Sequence, residues 1–125
     1  MSSFQEIADG KYVSLTTFKK DGTPVATPLW GARDGGRLLV WTTADSWKVK
    51  RIKRNAAVTI APCSARGTVQ GDAVDGRAEI LDSSGTEQAR AAIAKKYGIL
   101  GWLTIKGSNL RRGKTGTVGI SVTPT

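Results

Sequence analysis

Basic residues concentrate in one short segment of this chain, directly after an apolar run. Five of the seven residues from Lys48 to Arg54 are lysine or arginine. The apolar residues 38–41 before this segment predict a strand, and that strand ends in Thr42 and Thr43. Backbone N–H groups at a helix N-terminus point at an anion, and the helix dipole favours negative charge there. A strand that ends in hydroxyls and leads into a basic helix is therefore suited to hold phosphate; a solvated basic helix face is the alternative.

The rest of the side-chain inventory limits the chemistry that the chain can do alone. There is no histidine, and Cys63 is the one cysteine. Ser-His-Asp and Cys-His catalysis and the usual zinc sites are therefore excluded. Any reaction then depends on carboxylates, tyrosines and lysines or on a bound organic cofactor, and the small number of convincing acid–base pairs favours the cofactor. A single cysteine and the absence of a signal-peptide pattern in the first residues lead us to expect a cytoplasmic protein.

Composition narrows the class of protein and of partner. A length of 125 residues with 39% hydrophobic residues predicts one compact domain over residues 1–125. The net charge of +9 and the pI of about 10.1 favour an anionic partner. Such a partner is a nucleic acid, an acidic membrane surface or a small molecule with phosphates and carboxylates. We expect no membrane span, since no apolar run approaches the roughly 18 residues that one needs.

The hydrophobic pattern predicts a mostly β domain with attached helices. Strands are predicted over residues 12–18, 25–32, 37–43, 58–63, 67–81 and 115–122. Helices are predicted over residues 45–55 and 86–97, and residues 98–110 favour a short helix with a loop. Turn signals at Asp21-Gly22 and at residues 34–36 make the first strands antiparallel neighbours. Pro28 lacks an N–H donor and therefore predicts an edge strand, a bulge or the wall of a ligand site.

Four segments carry a resemblance to a known family, in the family's order and spacing. They are residues 15–24 (LTTFKKDGTP), 27–30 (TPLW), 40–43 (VWTT) with 48–55 (KVKRIKRN), and 58–63 (VTIAPC). The chain resembles the pyridoxamine-phosphate-oxidase-like split β-barrels, and within them the reductases that use the deazaflavin coenzyme F-420. This resemblance implies a split barrel of six or so antiparallel strands. It also implies a homodimer that holds its cofactor in a groove between the two subunits.

The resemblance also implies which residues bind the cofactor. Lys48 matches the phosphate-binding lysine, and Arg51 and Arg54 match residues near the phosphate or an acidic tail. The remaining implied cofactor-binding positions are Thr27, Pro28 and Leu29 along the ring system, Trp41, Thr42, Thr43, Ser46 and Val49 around the helix start, and Ala61, Pro62 and Cys63 as a second wall.

The function implied is that of a reductase. It would transfer a hydride from reduced coenzyme F-420 to an electron-poor double bond or a quinone-like acceptor. FMN is the alternative cofactor, and related barrels also hold haem. We predict neither a metal site nor a catalytic side chain, and the proton would come from solvent, Tyr12, Tyr97 or a lysine. A non-catalytic carrier of the same cofactor is the second hypothesis. A nucleic-acid-binding barrel is the third, disfavoured because the basic residues cluster at one junction instead of along a sheet face.

Overall fold

A computed structural model describes residues 3–112 and 116–125, with side chains for residues 3–98 and 116–125. These residues form seven strands and three helices. The helices are α1 (Phe4–Ala8), α2 (Trp47–Arg54) and α3 (Ser83–Arg112). The strands are β1 (Val13–Phe18), β2 (Pro24–Leu29), β3 (Gly31–Asp34), β4 (Arg37–Thr43), β5 (Ala57–Pro62), β6 (Val74–Ile80) and β7 (Thr117–Pro124). Within the described part of the chain, no helix is long and apolar enough to cross a membrane.

All seven strands belong to one antiparallel sheet, in the order β2-β1-β5-β6-β7-β4-β3. The two edge strands, β2 and β3, are separated in sequence by Trp30 alone. The sheet must therefore curl until its two edges come close together. This curled sheet confirms the predicted split β-barrel.

The core fills the inside of the curled sheet. Its largest buried side chains include Leu15, Ile60 and Ile120, and the helices α1 and α2 add Ile7 and Ile52. These apolar side chains alternate with outward-facing residues along each strand, as a half-buried sheet requires. The two short helices thus close the barrel, and α2 lies where β1 and β4 end.

Helix α3 packs on the outside of the barrel, against β3, β4 and β7. Its closest approach is at Gly119, where a Cβ atom would lie 2.9 Å from the Cβ of Ala89 and 3.1 Å from the Cα of Thr86. Gly98 interrupts the helix with φ +64°, a conformation that side chains disfavour. Helix α3 is therefore two helical pieces, and the first is fixed to the sheet.

The structure corrects the predicted strand over residues 25–32. This segment is two strands, β2 and β3, which lie at opposite edges of the sheet. The break comes at Trp30, whose ring stacks on Tyr97 at 4.4 Å. Both backbone groups of Gly31 are also held by α3: its N–H donates to the Tyr97 hydroxyl, and its carbonyl accepts from Lys96. Contacts with a distant helix thus divide a segment that looks continuous.

Other boundaries differ as well. The predicted strand over residues 67–81 is strand only from Val74, because residues 64–70 form a tight loop that contains Gly67 at φ +88°. Strand β4 pairs with β3 and β7, not with the β2 segment. Helix α1 was not predicted, although Ser3 and Glu6 form the cap spacing of a helix start.

Candidate functional site

The first turn of α2 brings Lys48 to the end of β4. The Lys48 ammonium donates a hydrogen bond to the Thr42 hydroxyl at 3.1 Å and is half-buried. Burial, and then the charge of Arg51, lower the pKa of Lys48. The ammonium lies in a place where its charge is poorly compensated. A bound anion would supply the missing negative charge.

The next turn of α2 reaches the end of β1. Arg51 Nε donates to the hydroxyl of the buried Thr17 at 2.7 Å, and Arg54 donates to the backbone carbonyl of Phe18 at 3.4 Å. In the described residues, the ion pairs are Arg33–Asp9, Arg37–Asp34 and Arg90–Glu87, and none of them includes a residue of α2. Lys48, Arg51 and Arg54 are therefore held by neutral oxygens.

A cleft of about 510 Å³ opens beside these cations. It is lined by Lys19, Lys20, Trp47, Arg51 and Arg54, with no acidic side chain among the lining residues. The N-terminus of α2 is capped by Ser46, whose hydroxyl accepts from the N–H of Val49. Because its lining carries four cationic side chains, the cleft is suited to phosphate or carboxylate groups.

The predicted ring wall is divided between two faces of the sheet. Pro28, Ser14 and Ala61 form one row across β2, β1 and β5, on the outer face of the barrel. Leu29 is paired with the buried Val13 and packs against the core. Thr27 and Pro62 share this inward face with Leu29, whereas Cys63 follows Ala61 on the outer face. The outer face therefore brings together Pro28, Ala61 and Cys63.

The outer row and the cationic cleft are separated by a short length of β1. Ser14 in the row and Thr17 below Arg51 are three residues apart, which corresponds to roughly 10 Å along a strand. Because side chains alternate along a strand, Ser14 lies on the outer face of β1, whereas the buried Thr17 lies on the inner face with Val13 and Leu15. A ligand that reached both places would therefore have to pass around the end of the strand.

The remaining predicted positions have other surroundings. Trp41 packs with Ala32 and Ile93 beneath α3, and its indole Nε1 is buried without a hydrogen-bond partner among the described residues. Thr43 lies opposite Thr117 on the outer face. Val49 is fully buried in the core. Thr42, Ser46, Lys48, Arg51 and Arg54 thus form one cluster, and Trp41 and Val49 lie outside it.

Sequence reasoning missed three contributors to the cluster: the buried Thr17 and the two lysines of the first turn, Lys19 and Lys20. Their signal was present, since a Lys-Lys-Asp-Gly turn after an alternating strand places two cations at a strand end. The sequence does not show that α2 crosses this same end of β1.

The two tyrosines considered as proton donors have different environments. The Tyr97 hydroxyl donates to the Lys11 carbonyl at 2.7 Å and accepts from Gly31, and burial raises its pKa. This hydroxyl joins α3 to the barrel, at the end opposite α2. Tyr97 is therefore a structural side chain, and Tyr12 carries no hydrogen bond among the described contacts that would position it.

Comparisons with known proteins agree with this architecture. The family profile described as pyridoxamine 5'-phosphate oxidase matches residues 4–125. A conserved hypothetical protein from Mycobacterium tuberculosis superposes with a TM-score of 0.71 at 22% identity, over 99% of this chain and 81% of that chain. An F-420 reductase gives a TM-score of 0.63 at 21% identity, over 100% and 95% of the two chains. The haem storage protein of Vibrio cholerae gives 0.67 at 14% identity, over 97% and 87%.

At these identities the structural likeness shows the fold alone, and the three similar proteins differ in what they are known to do. A search of curated proteins gives no match to this sequence. The family profile, however, covers the chain from Phe4 to its last residue. The protein therefore belongs to the pyridoxamine 5'-phosphate oxidase family of split β-barrels.

Proposed function

We propose that this protein is a reductase that binds reduced coenzyme F-420 and passes its hydride to an electron-poor double bond or a quinone-like acceptor. FMN is the alternative cofactor. The observation that carries the proposal is the pair of cations held by hydroxyls at two strand ends, Lys48 on Thr42 and Arg51 on Thr17. Membership of a family with flavin-type neighbours supports it.

The number of cations favours the larger of the two cofactors. FMN carries one phosphate, whereas the deazaflavin coenzyme carries a phosphodiester and several carboxylates. The cleft offers Lys19, Lys20, Arg51 and Arg54 in addition to Lys48, which is more positive charge than one phosphate requires. Charge-assisted hydrogen bonds to these groups would hold an extended acidic ligand.

In this mechanism the chain's own residues bind and orient the cofactor and shield it from water. When bound, the reduced coenzyme supplies the hydride. Lys48 and Arg51 hold the anionic end, and the N-terminus of α2 adds its dipole. In the outer row Ser14 and Ala61 are buried and Pro28 is exposed, so Pro28 is the member of the row that a planar group can contact. Since the Tyr97 hydroxyl is engaged in structure, the proton would come from solvent, Tyr12 or a lysine.

The test is a fluorescence titration of the purified chain with coenzyme F-420 and with FMN, side by side. We expect saturable binding of the deazaflavin, at lower concentration than FMN. Oxidation of the reduced coenzyme with a panel of enones and quinones then measures turnover. Binding of neither cofactor would refute the proposal. A preference for FMN would make FMN, and not coenzyme F-420, the proposed cofactor.

One observation favours a non-catalytic carrier as the second candidate. Among the described side chains, the row of Ser14, Pro28 and Ala61 contains no acid, lysine or tyrosine that could assist a reaction. Tight binding of the coenzyme with no turnover of any acceptor in the panel would support the carrier.

We also propose that the cofactor groove is completed in a homodimer. No described helix covers the outer face of β2, β1 and β5, whereas α3 covers the outer face of β3, β4 and β7. On this face Ala26 and Pro28 are exposed, while Ser14 and Ala61 are already buried within the chain. A second copy that packs on β2 would bury these exposed residues. Light scattering at micromolar concentration should give the mass of two chains; the mass of one chain would contradict the proposal.

A further inference from the structure

The most exposed large apolar side chain described is a tryptophan at the start of α2. Trp47 is 70% exposed, and Val69 at 54% is the other large hydrophobic side chain of this kind in the described chain. Trp47 packs neither in the core nor against the Trp30–Tyr97 stack. A single exposed apolar side chain is common on a protein surface, so the charges around this one carry the argument.

Cations surround this indole. The Lys50 ammonium lies 4.4 Å from the ring centroid of Trp47. Lys53, one turn of helix after Lys50, is exposed, and so are Lys19 and Lys20 in the neighbouring turn. We call Trp47, Lys50, Lys53, Lys19 and Lys20 the α2 patch. The nearest acids, Asp21 and Asp45, lie at its margin, and the Asp21 carboxylate accepts from the backbone N–H of Thr23.

We propose that the α2 patch docks the protein on an acidic phospholipid surface. An indole with its polar N–H and apolar body takes its place at the level of the lipid headgroups. Lysines beside it are drawn to anionic lipids, and each basic residue near such a surface strengthens binding by on the order of fivefold. The α2 patch combines these two features on one short helix and one adjoining turn.

The geometry favours a membrane over a nucleic acid. Readers of single strands stack successive bases on several aromatic faces along a basic track. The α2 patch has one indole, and the Lys50 ammonium already covers one face of it at 4.4 Å. A Trp–Lys pair packed side by side can still enter a headgroup layer, because that layer accepts the cation and the ring together.

The α2 patch shares Trp47, Lys19 and Lys20 with the lining of the cleft, whereas Lys50 and Lys53 do not line it. Lys48 and Arg51 turn towards the strand ends and bond to Thr42 and Thr17, whereas Lys50 and Lys53 are exposed to solvent. Lipid docking goes beyond the proposed function, and the charge variants at Lys50 and Lys53 test it apart from the cleft.

The test is co-sedimentation of the full chain with vesicles of phosphatidylcholine, with or without about 30% phosphatidylglycerol. We expect binding to the acidic vesicles at about 0.1 M salt and its loss at high salt. Lys50→Gln with Lys53→Gln should weaken the partition by on the order of 25-fold. Trp47→Ala should weaken it at unchanged charge. Circular dichroism checks that each variant is folded.

The matched control removes the same charge elsewhere. Arg66→Gln with Arg77→Gln neutralises two exposed arginines outside the α2 patch. This control should leave vesicle binding within about twofold of the unaltered chain, because distant surface charges are screened at this salt concentration. An equal loss for both pairs would mean diffuse electrostatics and would overturn the proposal.

Two further results would overturn it. One is the absence of binding to acidic vesicles. The other is binding of a single-stranded oligonucleotide, in place of vesicles, that depends on Trp47 and Lys50, which would assign the α2 patch to nucleic acid.

Discussion

Replacing Lys48 by alanine is the sharpest perturbation of the proposed anion clamp. The Lys48 ammonium is half-buried, is fixed by Thr42 at 3.1 Å, and has no ionic partner among the described residues. A charge-assisted hydrogen bond in such a place contributes about 1.5–3 kcal/mol. Loss of this contact corresponds to a roughly 10- to 150-fold rise in the Kd for the coenzyme.

The assay is fluorescence titration with coenzyme F-420 at two salt concentrations. Lys53→Ala is the matched control, because it removes the same charge from the exposed side of the same helix. We expect Lys53→Ala to change Kd by less than about twofold at 0.15 M salt, where exposed charges are screened. The effect of Lys48→Ala should persist at high salt. Equal effects of the two variants would refute the clamp, since diffuse charge would then explain the binding.

The same lysine gives a prediction for the chain without ligand. Its pKa is lowered by folding, so the folded chain releases this proton at a lower pH than the unfolded chain. The unfolded state then binds more protons just below the usual lysine pKa, and the contribution of Lys48 to stability rises with pH in that window. Lys48→Met should flatten this rise, and it should leave the ligand-free Tm at neutral pH unchanged or higher. A clear fall in Tm would contradict this reasoning.

Three other changes test the frame around the site. Gly119→Ala should lower the free energy of unfolding by about 1–3 kcal/mol in urea titrations, because the added methyl meets α3, whereas Gly36→Ala, in open space, should cost far less. Tyr97→Phe should lower the free energy of unfolding by about 1–2 kcal/mol, because the hydrogen bonds of the hydroxyl are lost, and it should preserve coenzyme affinity. A loss of affinity as large as that of Lys48→Ala would place Tyr97 in the site. Pro28→Trp adds bulk to the outer row and should slow turnover with a quinone far more than the control Thr123→Trp, which changes an exposed residue of β7. Equal rates for the two variants would mean that the outer row does not contact the ring.

The sequence predicted those parts of the fold that short-range signals determine. The Asp21-Gly22 turn, with Gly22 at φ +90°, and the helix predicted over residues 45–55 are examples. Each depends on residues within one turn, and each is found in place. The strand end and the helix start on either side of Lys48 were predicted in the same way, whereas the role of Lys48 in binding phosphate was implied by the family resemblance and stays a prediction.

What the sequence could not predict depends on distant contacts. The segment from Val25 to Ala32 alternates like one strand, and only Tyr97 and Lys96 show that it breaks at Trp30. The ring-wall residues were predicted as consecutive runs, but alternation along a strand sends neighbours to opposite faces. Leu29 therefore packs on the core while Pro28 faces out.

The position of β7 has a consequence for how this chain folds as it is made. Of the seven strands, β7 comes last in the sequence, yet it lies inside the sheet between β6 and β4. Until Thr117 and the residues after it leave the ribosome, β4 and β6 each present an unpaired edge. Unpaired edges can pair with strands from other chains. Pairing of β4 with β7 is slow, because a loop of about 80 residues must first close. The nascent barrel thus passes through an open, aggregation-prone stage, which is over only when β7 pairs with β4 and β6.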